Sequence, residues 1–362
     1  MTKFFNIRMF VVTALMMLFT ASWAGEITSD KLQFSNETLV PGETETQYVN
    51  LTLLGSRLYA GYNVEIAIPE GVEPVYEDDE LDLQKGAILK NSHTVAGEYN
   101  ATTRILKVIC SSSTNAEFKQ TSGVVCLIGL VVSTYAKPGA LSLALSGQAL
   151  TTAATVEYDP VDVTDENVTI GTTAKASLSV SSANKWSTCI LPFATALPGG
   201  LKAYTCSNKD DDKQVFYLTN VSSIEAYTPY ILYSESGYTG MLTGEVDSSQ
   251  YPEDGKVSQG YLTGAIEKQT TNEGYVLQNK GDGVKFYLMD NTKSYNIPAG
   301  KCWATPAAST AQSFSFEFPT AVNGIVEVAE SKNESKYNLS GIMIDAPRKG
   351  QLYIQNGKKY VK

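Results

Sequence analysis

Along most of this chain apolar residues take every second position. In QYVNLTLLG, Val49, Leu51 and Leu53 alternate with polar neighbours, and in YNVEIAIPEG, Tyr62, Val64, Ile66 and Ile68 do the same. Successive side chains of a strand point to opposite faces, so each stretch predicts a strand with one face in a core. GVVCLIGLVV, Gly123 to Val132, has no polar side chain and predicts a central strand covered on both faces. Leu141, Leu143 and Leu145 repeat the alternation. Turn clusters at Pro41-Gly42, Pro69-Glu70-Gly71 and Pro138-Gly139 punctuate these runs. Few segments carry a helical period. The pattern predicts an all-β protein whose first domain, residues 25–171, is a β-sandwich.

A polar, threonine-rich stretch, Asp162 to Ser177, holds the first boundary. Beyond it tyrosine becomes dense, and KQVFYLTNV, TPYILYS, EGYVLQN and GVKFYLMD are separated by Gly, Asn and Asp turns. A second all-β domain, a β-sandwich or barrel-like unit, is expected over 172–322. Residues 323–335 read as a polar linker. Residues 336–362 end in KGQLYIQNGKKYVK, a short β-hairpin tail with Gly350 and Asn356-Gly357 at positions suited to positive φ.

The N-terminus changes the picture of where this chain works. Lys3 and Arg8 precede an apolar run from Met9 to Ala21, followed by Ser22-Trp23-Ala24 before Gly25. A charged segment, a short apolar run and small residues form a secretory signal over residues 1–24, with cleavage between Ala24 and Gly25. The run is shorter than the ~20 residues a membrane-spanning helix needs. Without Lys3 and Arg8 the 28 cations fall to 26 against 38 carboxylates, a balance of −12. Such a surface repels phosphate backbones, so nucleic acid is not an expected partner. The tail departs from this balance: Arg348, Lys349, Lys358, Lys359 and Lys362 give it +5, with no acid after Asp345.

Candidate chemistry is sparse. Triads and most zinc sites need histidine, and the chain has one, His93, in the loop-like stretch KNSHTVAG, read as a surface or loop-packing residue. A glycosidase needs only two acids, for which the candidates are Glu77-Asp78-Asp79-Glu80-Leu81-Asp82 and Asp210-Asp211-Asp212. Both clusters read as solvated turns, and neither has the spacing of a calcium loop. No phosphate-binding glycine loop is present, and no cofactor or metal is expected. Cys110, Cys126, Cys189, Cys206 and Cys302 show no metal-ligand spacing. They read either as small buried residues or as hairpin disulfides pairing Cys110 with Cys126 and Cys189 with Cys206. Exposed aromatic faces stack on sugar rings, which makes Trp186, Tyr230, Tyr233 and Trp303 the candidate ligand aromatics, among further tyrosines at 227, 238, 251 and 261.

Three resemblances extend this reading. In the tail, Tyr337, Asn338, Leu339, Gly341, Lys349, Gly350, Tyr353, Ile354, Asn356, Gly357, Lys358 and Lys359 resemble the short C-terminal motif of proteins that Gram-negative bacteria export by type IX secretion. That implies a sorting or attachment signal; the alternative is a strand pair completing the second domain. WSTCILPF, LPGGLKAYT, YTPYILY and IPAGKCWA resemble a β-rich module recurrent near the C-termini of exported proteins of the same bacteria, to which no activity attaches. Pro41-Gly42, the Val49/Leu51 strand, Ala60-Gly61-Tyr62 leading into Val64/Ile66/Ile68, and Gly123 resemble cohesin-like and carbohydrate-binding-module sandwiches, which implies an immunoglobulin/cohesin-like fold. The first domain differs from cohesins at Ile68-Pro69-Glu70-Gly71, and the chain has no dockerin-type repeat. The expected function is a non-catalytic, extracellular or surface-attached protein that binds glycan or protein, as an adhesin or glycan-capture accessory. The rival readings are a two-carboxylate glycoside hydrolase and a structural surface or matrix protein.

Overall fold

The computed structural model describes residues 26–281, 283–306 and 309–317, together with the strands at 336–337, 343–344, 352–355 and 358–361. Among the described residues every element is a strand except one 3-10 turn, Ser248–Gln250. The protein is all-β, as the alternating pattern requires.

The first lobe is a sandwich. One sheet runs, in spatial order, Glu26–Thr28, Glu157–Pro160, Leu143–Thr151, Gly61–Ala67, Ile105–Ser112, His93–Asn100. The facing sheet runs Lys31–Phe34, Gln47–Leu54, Gly123–Val132, Val72–Pro74, with Leu83–Lys85 also on Gly123–Val132. The residues singled out by period two fill the space between: Val49, Leu51, Leu53, Val64, Ile66, Leu143 and Leu145 are all at most 1% exposed. Gly123–Val132 pairs on both edges, the central position its apolar run predicts. Its register slips between Val124 and Cys126, a bulge that lets neighbouring Val125 and Cys126 both be buried where strict alternation would expose one.

Two buried carboxylates pin the sandwich. Asp165 accepts from the Phe34 N–H at 2.7 Å and the Asn167 N–H at 2.8 Å, joining the two chain ends of the lobe. Asp30 accepts from the Tyr59 hydroxyl at 2.7 Å and the Ser56 hydroxyl at 3.0 Å. Burial pushes the Asp30 carboxyl up, but the Tyr59 and Ser56 bonds and the Arg57 charge outweigh it, holding it below the ordinary range.

The second lobe combines a ribbon, Thr173–Val180 against Tyr238–Glu245, with a ten-stranded sheet. That sheet begins Trp186–Cys189, Tyr230–Tyr233, Lys202–Asp210, Val215–Val221, Ser313–Glu317. Four strand spacings would carry Trp186 about 19 Å from Phe316 on a flat sheet. Their ring centroids lie 4.8 Å apart, so the sheet is curled into a barrel-like form. Its inner face carries Tyr204, Cys206, Phe216, Leu218, Ile231 and Phe314, and Phe216 stacks on Phe314 at 4.2 Å. The other face packs Cys189, Tyr230 and Leu232 with Leu178 and Val180 of the ribbon.

The lobes meet through the segment after Gly123–Val132. Tyr135 packs against the second lobe's core and donates its hydroxyl to the Ile190 carbonyl at 3.1 Å, while Tyr251 donates to the Tyr135 carbonyl at 2.9 Å. Thr134 donates to the Lys175 carbonyl at 2.7 Å, Lys175 pairs with Glu43 at 2.5 Å, and Lys137 pairs with Glu253 at 3.1 Å.

The tail is larger than the hairpin read from its sequence. Leu352–Gln355 and Lys358–Val361 do pair antiparallel, with Gln355 opposite Lys358. Lys336–Tyr337 and Met343–Ile344 add two more strands, making a four-stranded sheet. Tyr337, Tyr353, Ile354, Lys358 and Lys359 of the motif sit in these strands. The signal-cleavage residues Ala24 and Gly25, the linker 323–335, and Asn338, Leu339, Gly341, Lys349, Gly350, Asn356 and Gly357 lie outside the described residues.

Candidate aromatic site

The Trp186–Cys189 and Tyr230–Tyr233 strands pair with Trp186 directly opposite Tyr233, and Tyr233 is opposite Lys202 on its other side. Directly opposed residues share a face, so Trp186, Tyr233 and Lys202 form one row across three strands. The row lies at the strand ends: Trp186 opens its strand, Tyr233 closes its own and Lys202 opens the third. The Trp186 ring is 4.7 Å from Tyr233, 4.8 Å from Phe316 and 6.1 Å from Tyr204, each pair tilted between 38° and 56°. Tyr204 is buried, while Trp186, Tyr233 and Phe316 are half-buried.

Charge rims this cluster. The Tyr233 hydroxyl donates to Glu235, which also pairs with Lys185. The Lys185 and Tyr233 hydrogen bonds hold the Glu235 carboxyl below its ordinary value, and the bond to Glu235 raises the Tyr233 phenol. The Lys202 ammonium lies 6.0 Å from the Tyr233 ring centroid. A half-buried indole and phenol with an ammonium beside them offer an apolar face and fixed hydrogen-bonding groups, the chemistry that holds a sugar ring.

The structure separates the four candidate aromatics. Trp186 and Tyr233 come together. Tyr230 and Trp303 do not join them: at 2% and 5% exposure they are core residues. The reason is strand parity: Tyr230 is opposite Cys189 and faces the core on the other side of the sheet from Tyr233. Trp303 packs with Ala265, Met289 and Ile297. Of the remaining tyrosines, Tyr227 is buried, Tyr251 serves the lobe contact, and Tyr261 stacks on Phe216 at 6.0 Å. Phe316 and Tyr204 were missed, although the alternation of Phe314 and Phe316 in SFSFE signals a shared face.

His93 is buried rather than at the surface, opening the His93–Asn100 strand. Its Nδ1 accepts from the Lys90 N–H at 3.1 Å, so its Nε2 carries the hydrogen given to the Ala116 carbonyl at 2.9 Å. Burial lowers its pKa, keeping the ring neutral. Asp78 and Asp79, at φ +51° and +67°, form the two-residue turn of a hairpin that sets Glu77 opposite Glu80. All four acids are exposed. Asp210 and Asp211 pair with Lys213 and Lys209 in another exposed turn. Among the described residues no cluster of three or more His, Cys, Asp or Glu is placed to hold a metal.

The five cysteines are buried thiols. Cys189 and Cys206 face opposite sides of the curled sheet, which rules out the hairpin disulfide that their spacing allowed. A shallow depression of about 500 Å³, lined by Asn272, Glu273, Leu288, Asp290, Asn291 and Gln312 among others, has no aromatic wall.

No family model matches the chain, and no curated protein matches it. Solved cohesin modules are similar in part. A non-cellulosomal cohesin of Archaeoglobus fulgidus is 14% identical over 40% of this chain and 91% of its own, with a TM-score of 0.30. The cohesin of a Clostridium thermocellum OlpC cohesin–dockerin complex is 9% identical over 41% and 98%, with a TM-score of 0.32. That of the OlpA complex is 18% identical over 39% and 99%, with a TM-score of 0.30. Among the described residues no helix is long and apolar enough to cross a membrane.

Proposed function

We propose that this is a non-catalytic binding protein, exported to the outer cell surface, that captures glycan on the Trp186–Tyr233 row. The observation that carries the reading is the row itself: two half-buried rings 4.7 Å apart at the strand ends of a curled sheet, with Lys202 beside them. The exported location is supported by the signal-like N-terminus, and the surface location by the sorting-type motif of the tail. The engaged state of His93, the exposure of Glu77 to Glu80 and the pairing of Asp82 with Tyr48 and of Asp210 and Asp211 with lysines favour binding over hydrolysis.

Tryptophan emission tests the site. Trp303 is in the core and Trp186 is half-buried, so a ligand on the row perturbs Trp186 selectively. Titration with a panel of soluble polysaccharides should give a saturable change with at least one class, abolished in Tyr233→Ala. A change that persists in Tyr233→Ala and Trp186→Ala would move the site elsewhere, and accumulation of reducing ends would favour the hydrolase reading.

A further inference from the structure

Two of the five thiols come close together across the curled sheet. Thr188 donates its hydroxyl to the Cys302 carbonyl at 3.2 Å and accepts from the Cys302 N–H at 2.9 Å. This clasp holds the Cys302–Ala304 strand against Trp186–Cys189, and the Cys302 thiol donates to the Cys189 carbonyl at 3.1 Å. A carbonyl oxygen lies about 2.4 Å from its own Cα, so the Cys302 sulfur is at most about 5.5 Å from the Cys189 Cα. Both side chains belong to the same buried cluster. Neither of the other pairings has such a clasp. Cys206 faces the opposite core, and Cys110 and Cys126, although buried in one core between facing sheets, have no hydrogen bond from either thiol to the other's strand.

We propose that Cys189 and Cys302 are joined by a disulfide in the mature protein, made while the chain folds in an oxidising compartment. The inference rests on the exported reading above. One cysteine thiolate attacks a sulfur of a dithiol oxidant's disulfide, releasing that oxidant's other sulfur as a thiolate. The second cysteine thiolate then attacks the mixed disulfide. The protein loses two hydrogens, its two sulfurs are bonded, and the oxidant leaves as a dithiol. Burial pushes the Cys189 thiol up to about 12 and raises Cys302 as well, so the exchange belongs to folding, before the core closes. Trp186–Cys189 is an edge strand of the ten-stranded sheet, and the bond would fasten the strand that carries Trp186 to the sheet's other half.

The test refolds the full chain, reduced and denatured, in a buffer of reduced and oxidised glutathione, then alkylates free thiols in denaturant and maps peptides by mass spectrometry. The expected result is one linked pair, Cys189 with Cys302, and alkylated Cys110, Cys126 and Cys206. Reduction should lower the melting temperature by several degrees, and Cys302→Ser should lack both the link and that shift. Five alkylated cysteines in refolded protein, or Cys189 linked to a different partner, would overturn the proposal. Because refolding reads thiol geometry alone, cell fractionation separately tests export, and a cytoplasmic native protein would overturn the exported reading and the disulfide in cells with it.

Discussion

The Tyr135 hydroxyl, carried on a loop of the first lobe, donates to the Ile190 carbonyl of the second at 3.1 Å. Burial raises this phenol, so it stays a protonated donor across the physiological range. With Tyr251 bonded to the Tyr135 carbonyl, the residue is tied to the second lobe through both its hydroxyl and its backbone. Tyr135→Phe should cost about 1 kcal/mol, the net worth of a typical hydrogen bond. Tyr135→Ala should cost about 2–3 kcal/mol, less than the loss of a fully buried core ring because Tyr135 is only partly buried against the second lobe's core. Calorimetry should show the single unfolding transition of the wild type splitting into two in the alanine variant; a single, unsplit transition in that variant would show that the lobes do not depend on this ring.

Gly42 provides a second measure of the same contact. Its φ is +73°, and a Cβ there would meet the Lys175 carbonyl oxygen at 1.7 Å. Gly200 has a similar φ of +80° with open space around it. Gly200→Ala should therefore cost about 1 kcal/mol from backbone strain alone. Gly42→Ala should cost at least twice that, because the lobes must also separate. Equal losses by chemical denaturation would show that the close approach contributes nothing.

His93 predicts a pH dependence. Its folded pKa lies below the ordinary 6.5 because of burial. Above pH 6.5 both folded and unfolded rings are neutral and His93 costs nothing. As the pH falls below that value the unfolded chain takes up a proton the folded chain refuses, so stability falls until the folded pKa is reached. A His93→Gln variant should lose that acid slope relative to wild type. The chain has one histidine, so its NMR signal is unambiguous and should titrate below 6.5; titration at or above 6.5 would contradict the buried neutral ring.

The tail carries its own prediction. Deleting Asn333 to Lys362 should leave the protein in the periplasm, detected by fractionation and protease shaving of whole cells. Unchanged surface display of the truncated chain would remove the sorting assignment.

Much of the fold was legible because strand parity is a local property. Val49, Leu51 and Leu53, or Val64 and Ile66, declare their buried face in a few residues, and the apolar run at Gly123–Val132 declares a central strand. The site was only half legible, since the same parity has to be counted correctly within YTPYILY. Tyr230 and Tyr233 are three apart, an odd number, so they face opposite sides of their strand, and only Tyr233 reaches Trp186. What brings Phe316 to Trp186 is the curl of a sheet whose strands are far apart in the chain, which no short window contains. The parallel pairing of Val215–Val221 with Ser313–Glu317 is of the same kind. His93 looked like a loop residue because its flanking Asn, Ser and Thr are polar; its burial comes from Phe118, Lys90 and Ala116.

Capture of glycan on the Trp186–Tyr233 row without cleavage is open to a direct test. The most direct measurement is retention of the purified protein on an array of host and plant glycans, beside a Trp186→Ala/Tyr233→Ala double variant shown to be folded by circular dichroism. The expected result is saturable retention on one glycan class by the wild type, loss of it in the double variant, and arrayed glycans left intact. Equal retention of both proteins, or a blank array for both, would contradict it.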